Sequence, residues 1–316
     1  MPLFLGHATA ELVLDKQWVE SLSPAADQML EHCAASRIEL SRLDLQPLEG
    51  IPLPYDVLVS SPQEARTWGG VRCHLCRAPL PLGSFLEISP ELFVASPALT
   101  FVQRAAKLSL AQTVALGARL CGTFALDRDS GSGVRERAPL ATPDDLQLYV
   151  NHCQHVNGIK RARRTLPLIL PNAASPMETI TALVYCLPPR HGGFGFPVPQ
   201  LNYEQTLRPS AQRLVGKDCI RIDIYWSDHQ FGLEYQGKFA HSSHTSIAAD
   251  IARQLAAEQM GIELQMLTIE QIRDQGQRLA IARKIACRLG AQIPAGRTFL
   301  VANQRLVDEL LCSLPT

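Results

Sequence analysis

The residues richest in chemistry lie between Arg221 and Lys238, in the run RIDIYWSDHQFGLEYQGK. Strand side chains alternate faces, which sets Asp223 and Tyr225 opposite to Ile222, Ile224 and Trp226. On the next strand Gly232, Glu234 and Gln236 oppose Phe231, Leu233 and Tyr235. A hairpin turning at Asp228-His229, or over Ser227 to Gln230, pairs Trp226 with Phe231 in both cases. That register sets Asp223 directly across from Glu234. Facing carboxylates repel and weaken a sheet. A divalent cation between them removes the conflict. Mg²⁺ takes carboxylate oxygens, keeps several waters, and makes such a water a better nucleophile towards a phosphodiester. Solvation, or pairing with Arg221 and Lys238, is the other reading of the two acids, and hairpin geometry does not choose between them.

Around this hairpin the periodicity predicts a helix from Ser175, a long loop towards Pro199, and strands at Cys219 to Trp226 and Phe231 to Gln236. A helix over Ser246 to Met260 follows, with Gly261 as its stop and Ile247, Ile251 and Leu255 as the stripe facing the sheet. Ile262 to Thr268 reads as a third strand and Gln271 to Leu289 as a closing helix. This order gives a central mixed sheet flanked by helices.

Asp223 followed by Glu234-Tyr235-Gln236 resembles the D…(D/E)xK core of PD-(D/E)XK nucleases. Five pieces in order resemble, more closely, the very-short-patch-repair-type domain DUF559. They are Ser175-Pro176-Met177-Glu178, Arg221-Ile222-Asp223, Leu233-Glu234-Tyr235-Gln236-Gly237, His241 and Asp250…Arg253. The resemblance implies a restriction-endonuclease-like fold that hydrolyses DNA with Mg²⁺ or Mn²⁺. It implies Asp223 and Glu234 as metal ligands, Glu178 as an acidic helper from the first helix, and His241 near the scissile phosphate. Ser175-x-x-Glu178 is also a capping box with Pro176 in the first helical turn, which by itself accounts for the glutamate.

The chain departs from the family at Gln236, where DUF559 has Asp and the wider superfamily Lys. Gln can orient a water or a phosphate but supplies no charge. Lys238 shares its face if the strand continues, and would replace the missing cation. The alternative on the same fold is a catalytically inactive DNA-binding or antitoxin-like regulator with a toxin or other regulatory protein as partner.

The first half reads as a smaller α/β domain. Tyr55 to Ser60 and Val71 to Leu75 have strand character. Ser96-Pro97 opens a helix carrying Phe101, Ala105 and Leu108, and a second helix follows over Ala111 to Leu120. Gly6-His7-Ala8-Thr9-Ala10-Glu11, Tyr55 to Ser60 and Val94 to Thr100 resemble the α/β part of AbiEi-type antitoxins, without that family's winged helix. The expected division is 1–150 for this domain, 151–174 for a basic connecting helix and 175–316 for the nuclease-like domain. The connecting helix carries Lys160, Arg161, Arg163 and Arg164, either a solvated face or a phosphate-contacting patch. Cys73-His74-Leu75-Cys76 lacks the second pair that a structural zinc site needs, and reads instead as buried thiols on a strand.

Composition bounds the rest. Hydrophobic residues make up 46% of the 316 positions and charged ones 19%, a packed chain rather than a disordered one. The 30 basic and 30 acidic side chains cancel, which weighs mildly against strong non-specific nucleic-acid binding. No apolar run approaches the roughly 20 residues that cross a bilayer, and the N-terminus lacks a signal peptide's basic region. Nine scattered cysteines suggest free thiols in a reducing cytoplasm.

Overall fold

A computed structural model describes residues 1–25, 30–237 and 244–313, and all side chains within those spans except 244–248 and 250. The chain divides into two units. One comprises Met1–Cys121 with Ala125–Ile169, the other Gly122–Phe124 with Leu170–Thr316.

The first unit runs β1 (Leu3–Leu5), α1 (His7–Val13), α2 (Arg37–Leu40), β2 (Tyr55–Val59), β3 (Val71–Leu75), β4 (Phe85–Ser89), β5 (Leu92–Ala95), α3 (Pro97–Ala105) and α4 (Leu110–Leu120). A ribbon of β6 (Phe124–Leu126) and β7 (Val134–Glu136) precedes α5 (Pro143–His152) and α6 (Ile159–Thr165). The five-stranded sheet has the order β3-β2-β1-β5-β4, with β1 parallel to β5 and antiparallel to β2. Leu3, Phe4 and Leu5 are all fully buried, so the central strand is covered on both faces. The Ser96 hydroxyl accepts from Leu99 N–H, and Phe101 and Ala105 lie in the core, as the Ser96-Pro97 start predicts. The basic segment forms no separate connector. Its helix, α6, packs on α3, α4 and α5, because Ile159, Ala162 and Thr165 bury one side of it within this unit.

The second unit contains α7 (Pro176–Cys186), β8 (Gln200–Thr206), α8 (Pro209–Val215), β9 (Cys219–Trp226), β10 (Phe231–Tyr235), α9 (His244–Gln259), β11 (Glu263–Leu267), α10 (Ile269–Arg273), α11 (Gln275–Leu289) and α12 (Arg297–Cys312). Its mixed sheet has the order β11-β10-β9-β8. β10 is parallel to β11, and the other neighbours are antiparallel. The segment just after Pro199, to which the periodicity assigns no element, is the edge strand β8. Its polar sequence, QLNYEQT, suits an edge with one solvated side and hides the strand from hydrophobic pattern. The closing helix is two helices, interrupted where the Asp274 carboxylate caps α11 by accepting from Gln277 N–H.

The stripe expected on α9 is also corrected. Ile251 and Leu255 are 54% and 46% exposed, whereas Ala256 and Ala257 are buried. Small residues bring this helix close to the sheet and to α8. Ile247 lies outside the described side chains.

β9 departs from strict alternation. Ile220, Ile222 and Tyr225 share one packed cluster with Ala256, Ala257, Ile262 and Leu264, although alternation would separate Tyr225 from Ile222. Gly232 makes room at this crossing. A Cβ there would stand 2.7 Å from Ile222 Cγ2 and 2.9 Å from Leu264 Cδ2. Gly232→Ala is therefore expected to destabilise the second unit by about 1–3 kcal/mol through overpacking. Urea or thermal unfolding measures this, and an unchanged midpoint would contradict such close packing.

Candidate active site

The hairpin has the register expected of it. Phe231 pairs with Trp226, Gly232 with Tyr225 and Leu233 with Ile224; the paired rungs end there, and Asp223 and Glu234 are the next residues beyond them on the two strands. A short 3-10 turn over Ser227–His229 connects the strands, with Gln230 in the left-handed region. The Asp223 carboxylate accepts from Tyr235 N–H at 2.8 Å, reaching across the strand pair to the residue after Glu234. Glu234 is 5% exposed, and its Oε1 accepts from Arg253 Nη2 at 2.7 Å. Arg253 projects from α9 and also donates to the Arg221 carbonyl.

Glu178 joins this group from α7. The Ser175 hydroxyl accepts from Glu178 N–H at 3.2 Å, which is one half of a capping box. The return half is displaced by a residue: Glu178 Oε2 accepts from Ala174 N–H at 2.7 Å rather than from Ser175. The same oxygen accepts from Asn202 Nδ2 at 2.6 Å. Glu178 thus caps its helix, ties α7 to β8, and remains close enough to Asp223 to perturb it.

Asn202 was not legible in the sequence. The β8–β9 ladder pairs Leu201 with Ile224 and Tyr203 with Ile222, and the rung between them, Asn202 opposite Asp223, is absent from the pairing. Asn202 has φ 50°, a left-handed conformation that asparagine tolerates better than most residues. Its amide also donates to the Asn172 carbonyl at 2.8 Å. Asp223 thereby lies between an irregular edge residue and a buried glutamate.

The electrostatics follow from this crowding. Burial first, then the Glu234 and Glu178 carboxylates, push the Asp223 carboxyl well above the ordinary carboxylate range. The Tyr235 N–H and the Arg253 guanidinium act in the opposite direction. Among the described residues no three Asp, Glu, His or Cys side chains are gathered so as to hold a metal ion. Asp223 and Glu234, close enough to perturb each other, fit a smaller requirement, because Mg²⁺ is commonly held by one or two carboxylates and completes its shell with water.

The remaining sequence candidates are dispersed. Gln236 follows the end of β10, where its N–H donates to the Leu267 carbonyl at 2.7 Å. Lys238 and His241 lie outside the described residues, as does the side chain of Asp250. The basic residues of α6 belong to the first unit and divide in role. Arg163 Nη2 donates to the Val150 and Cys153 carbonyls at 3.3 and 3.2 Å, fastening the end of α5, and Arg161 donates to the Leu108 carbonyl. Lys160 and Arg164 are exposed.

The Cys73-His74-Leu75-Cys76 segment also has another occupation. His74 Nε2 lies 2.7 Å from Asp56 Oδ1, and the His7 ring stacks on His74 at 3.8 Å between centroids. Burial, followed by His74, lowers the His7 pKa to about 4, so that ring is neutral near pH 7. Cys73 and Cys76 are half-buried rather than buried, and burial raises the Cys76 thiol.

Because its pKa is raised, the folded state holds the Asp223 proton more tightly than the unfolded chain does. Ionising this group therefore costs stability as pH rises from the ordinary carboxylate pKa of about 3.9, with the whole cost present above the raised value. Asp223→Asn keeps an acceptor for Tyr235 N–H and is expected to raise the unfolding midpoint at pH 8, with the gain shrinking towards pH 4. A midpoint lowered at both pH values would contradict this assignment of the buried charge. No family model, curated protein or solved structure matches this chain.

Proposed function

We propose that the second unit is a Mg²⁺- or Mn²⁺-dependent DNA endonuclease with a DUF559-like, PD-(D/E)XK fold. The observation that carries this reading is the nearness of Asp223, just past the last paired rung of β9, to Glu234 on β10, with Asp223 destabilised as an anion by burial and then by Glu234 and Glu178. Structural ion pairs seldom place carboxylates against each other, because like charges across a sheet repel. A hard cation converts that repulsion into ligand binding.

Asp223 and Glu234 would hold the cation, which lowers the pKa of a bound water and neutralises charge developing on the phosphate. Asp223 keeps one oxygen oriented by Tyr235 N–H, which fixes its carboxylate plane. Glu178, held by Ala174 and Asn202, adds negative potential from α7 and disfavours full ionisation of Asp223 until a cation arrives. Gln236, beside the strand end, can orient a water or a phosphate oxygen. Within the first unit, Lys160 and Arg164, exposed on α6, are by themselves suited to phosphate contact.

The test incubates the full chain with plasmid and single-stranded DNA in Mg²⁺ or Mn²⁺ over a range of salt. Cleavage is expected, lost with a chelator and reduced about 100-fold or more by Asp223→Ala or Glu234→Ala. Intact DNA under all conditions overturns the enzyme reading. One observation favours a second reading, a DNA-binding or antitoxin-like regulator: Glu234 already has a cationic partner in Arg253, and Gln236 carries no charge. A gel shift without cleavage, insensitive to Asp223→Ala, would select it.

A further inference from the structure

Arg253 occupies an unusual place for a structural arginine. Its Nη2 donates both to Glu234 Oε1, at 2.7 Å, and to the Arg221 carbonyl, so it sits where β9 and β10 carry the acidic pair. Its Nε is buried with no hydrogen-bond partner among the described residues. The Glu234 side chain is 7% exposed and that of Arg253 29% exposed. Buried N–H groups are nearly always paired, and one left over on a guanidinium beside an acidic pair points to an acceptor that a ligand would bring.

Two facts about this arrangement conflict with simultaneous metal binding. A cation shared by Asp223 and Glu234 needs an oxygen from each, and Glu234 Oε1 is already engaged by a full positive charge. Bringing a divalent ion to the same carboxylate places like charges close together in a poorly screened site. Even a cation on the second Glu234 oxygen shares one carboxylate with the guanidinium, and the repulsion is relieved if one of the two withdraws. Arg253 is the group able to do so, because its long side chain is partly exposed at the end of a helix-borne stem.

Resting on the endonuclease reading, we propose that Arg253 is a surrogate for the metal. It neutralises Glu234 in the metal-free protein, is displaced when a divalent ion binds, and then offers its planar fork to a phosphate of the substrate. A guanidinium suits both positions, since it matches carboxylate and phosphate oxygens with the same pair of parallel N–H groups. The substrate class this selects is an anionic phosphodiester backbone. Arg253 is thus a positioning residue whose effects on metal and on nucleic acid have opposite signs.

Opposite signs make the proposal testable apart from activity. Mn²⁺ affinity is measured by calorimetry on wild-type protein, Arg253→Gln and Arg253→Lys, with thermal unfolding recorded alongside. Arg253→Gln removes the competing charge and is expected to tighten Mn²⁺ binding on the order of tenfold. Arg253→Lys keeps the charge and is expected to stay within about threefold of wild type. Binding of a short DNA duplex in Ca²⁺, which permits binding without turnover, is expected to weaken for Arg253→Gln, with a salt slope shallower by about one phosphate contact.

In the wild-type protein, adding Mg²⁺ without DNA is expected to shift the Arg253 Nε–H resonance. This arm needs no variant, so it decides the matter if Arg253→Gln fails to fold. Mn²⁺ affinity unchanged or weakened in Arg253→Gln, or an Nε–H signal indifferent to Mg²⁺ that does bind, overturns the surrogate role and leaves the endonuclease reading intact. Absence of metal binding by every one of these proteins overturns both. Unaltered duplex affinity and salt slope in Arg253→Gln overturn the transfer to phosphate.

Discussion

In the second unit the Asp223 carboxyl is half-buried within electrostatic reach of the Glu234 and Glu178 carboxylates, and most of what surrounds these acids can be understood as a response to that. Unit charges 4 Å apart interact by about 1 kcal/mol in water and by about 4 kcal/mol at the effective dielectric of a protein surface. The structure meets the repulsion in three ways. Asp223 holds its proton more tightly and accepts from Tyr235 N–H; Glu234 takes the Arg253 guanidinium; Glu178 is bound by the Ala174 N–H and the Asn202 amide. Removing any of these supports would leave a buried charge uncompensated, which is among the costlier defects a fold can carry.

The edge of the sheet is built to serve the same place. β8 supplies Asn202 in a left-handed conformation opposite Asp223, at the rung where the ladder is interrupted. An uninterrupted ladder would give β9 a regular neighbour and no amide directed at Glu178. Local backbone strain of this sort costs of order 1–3 kcal/mol and persists where the surroundings fix it. Here the fixing groups are the Asn172 carbonyl and the Glu178 carboxylate. Backbone strain and like charge thus fall on the same few residues of the second unit.

The first unit shows how polar and basic residues of a motif are taken up by structure. His7, Asp56 and His74 come from the start of α1, from β2 and from β3, and the Asp56 carboxylate, 4% exposed, gathers His74 and Arg72. The cysteine-histidine segment read as buried thiols does form a strand, but Cys73 and Cys76 are half-buried and it is His74 that contacts the buried Asp56. Similarly, Arg161 and Arg163 have backbone carbonyls to satisfy, so a run of four basic residues supplies fewer mobile charges than its composition promises. No described helix is long and apolar enough to cross a membrane.

The hairpin and its register were determined by local sequence. Alternating apolar residues on both sides of Ser227–Gln230 leave one pairing that keeps Phe231, Leu233, Ile224 and Trp226 buried, and the structure has that pairing from Trp226–Phe231 to Ile224–Leu233. The cap at Ser175 and the helix at Ser96-Pro97 were legible for the same reason, since the signals lie within one turn of the chain. The polar edge strand, the inward side of α9 and the unit boundary were not, because each depends on what packs against the element rather than on the element itself. Whether Glu178 faces Asp223, and whether Arg253 reaches Glu234, was decided by distances between segments remote in sequence. Only the folded backbone sets those distances, and burial then turns modest charges into dominant ones.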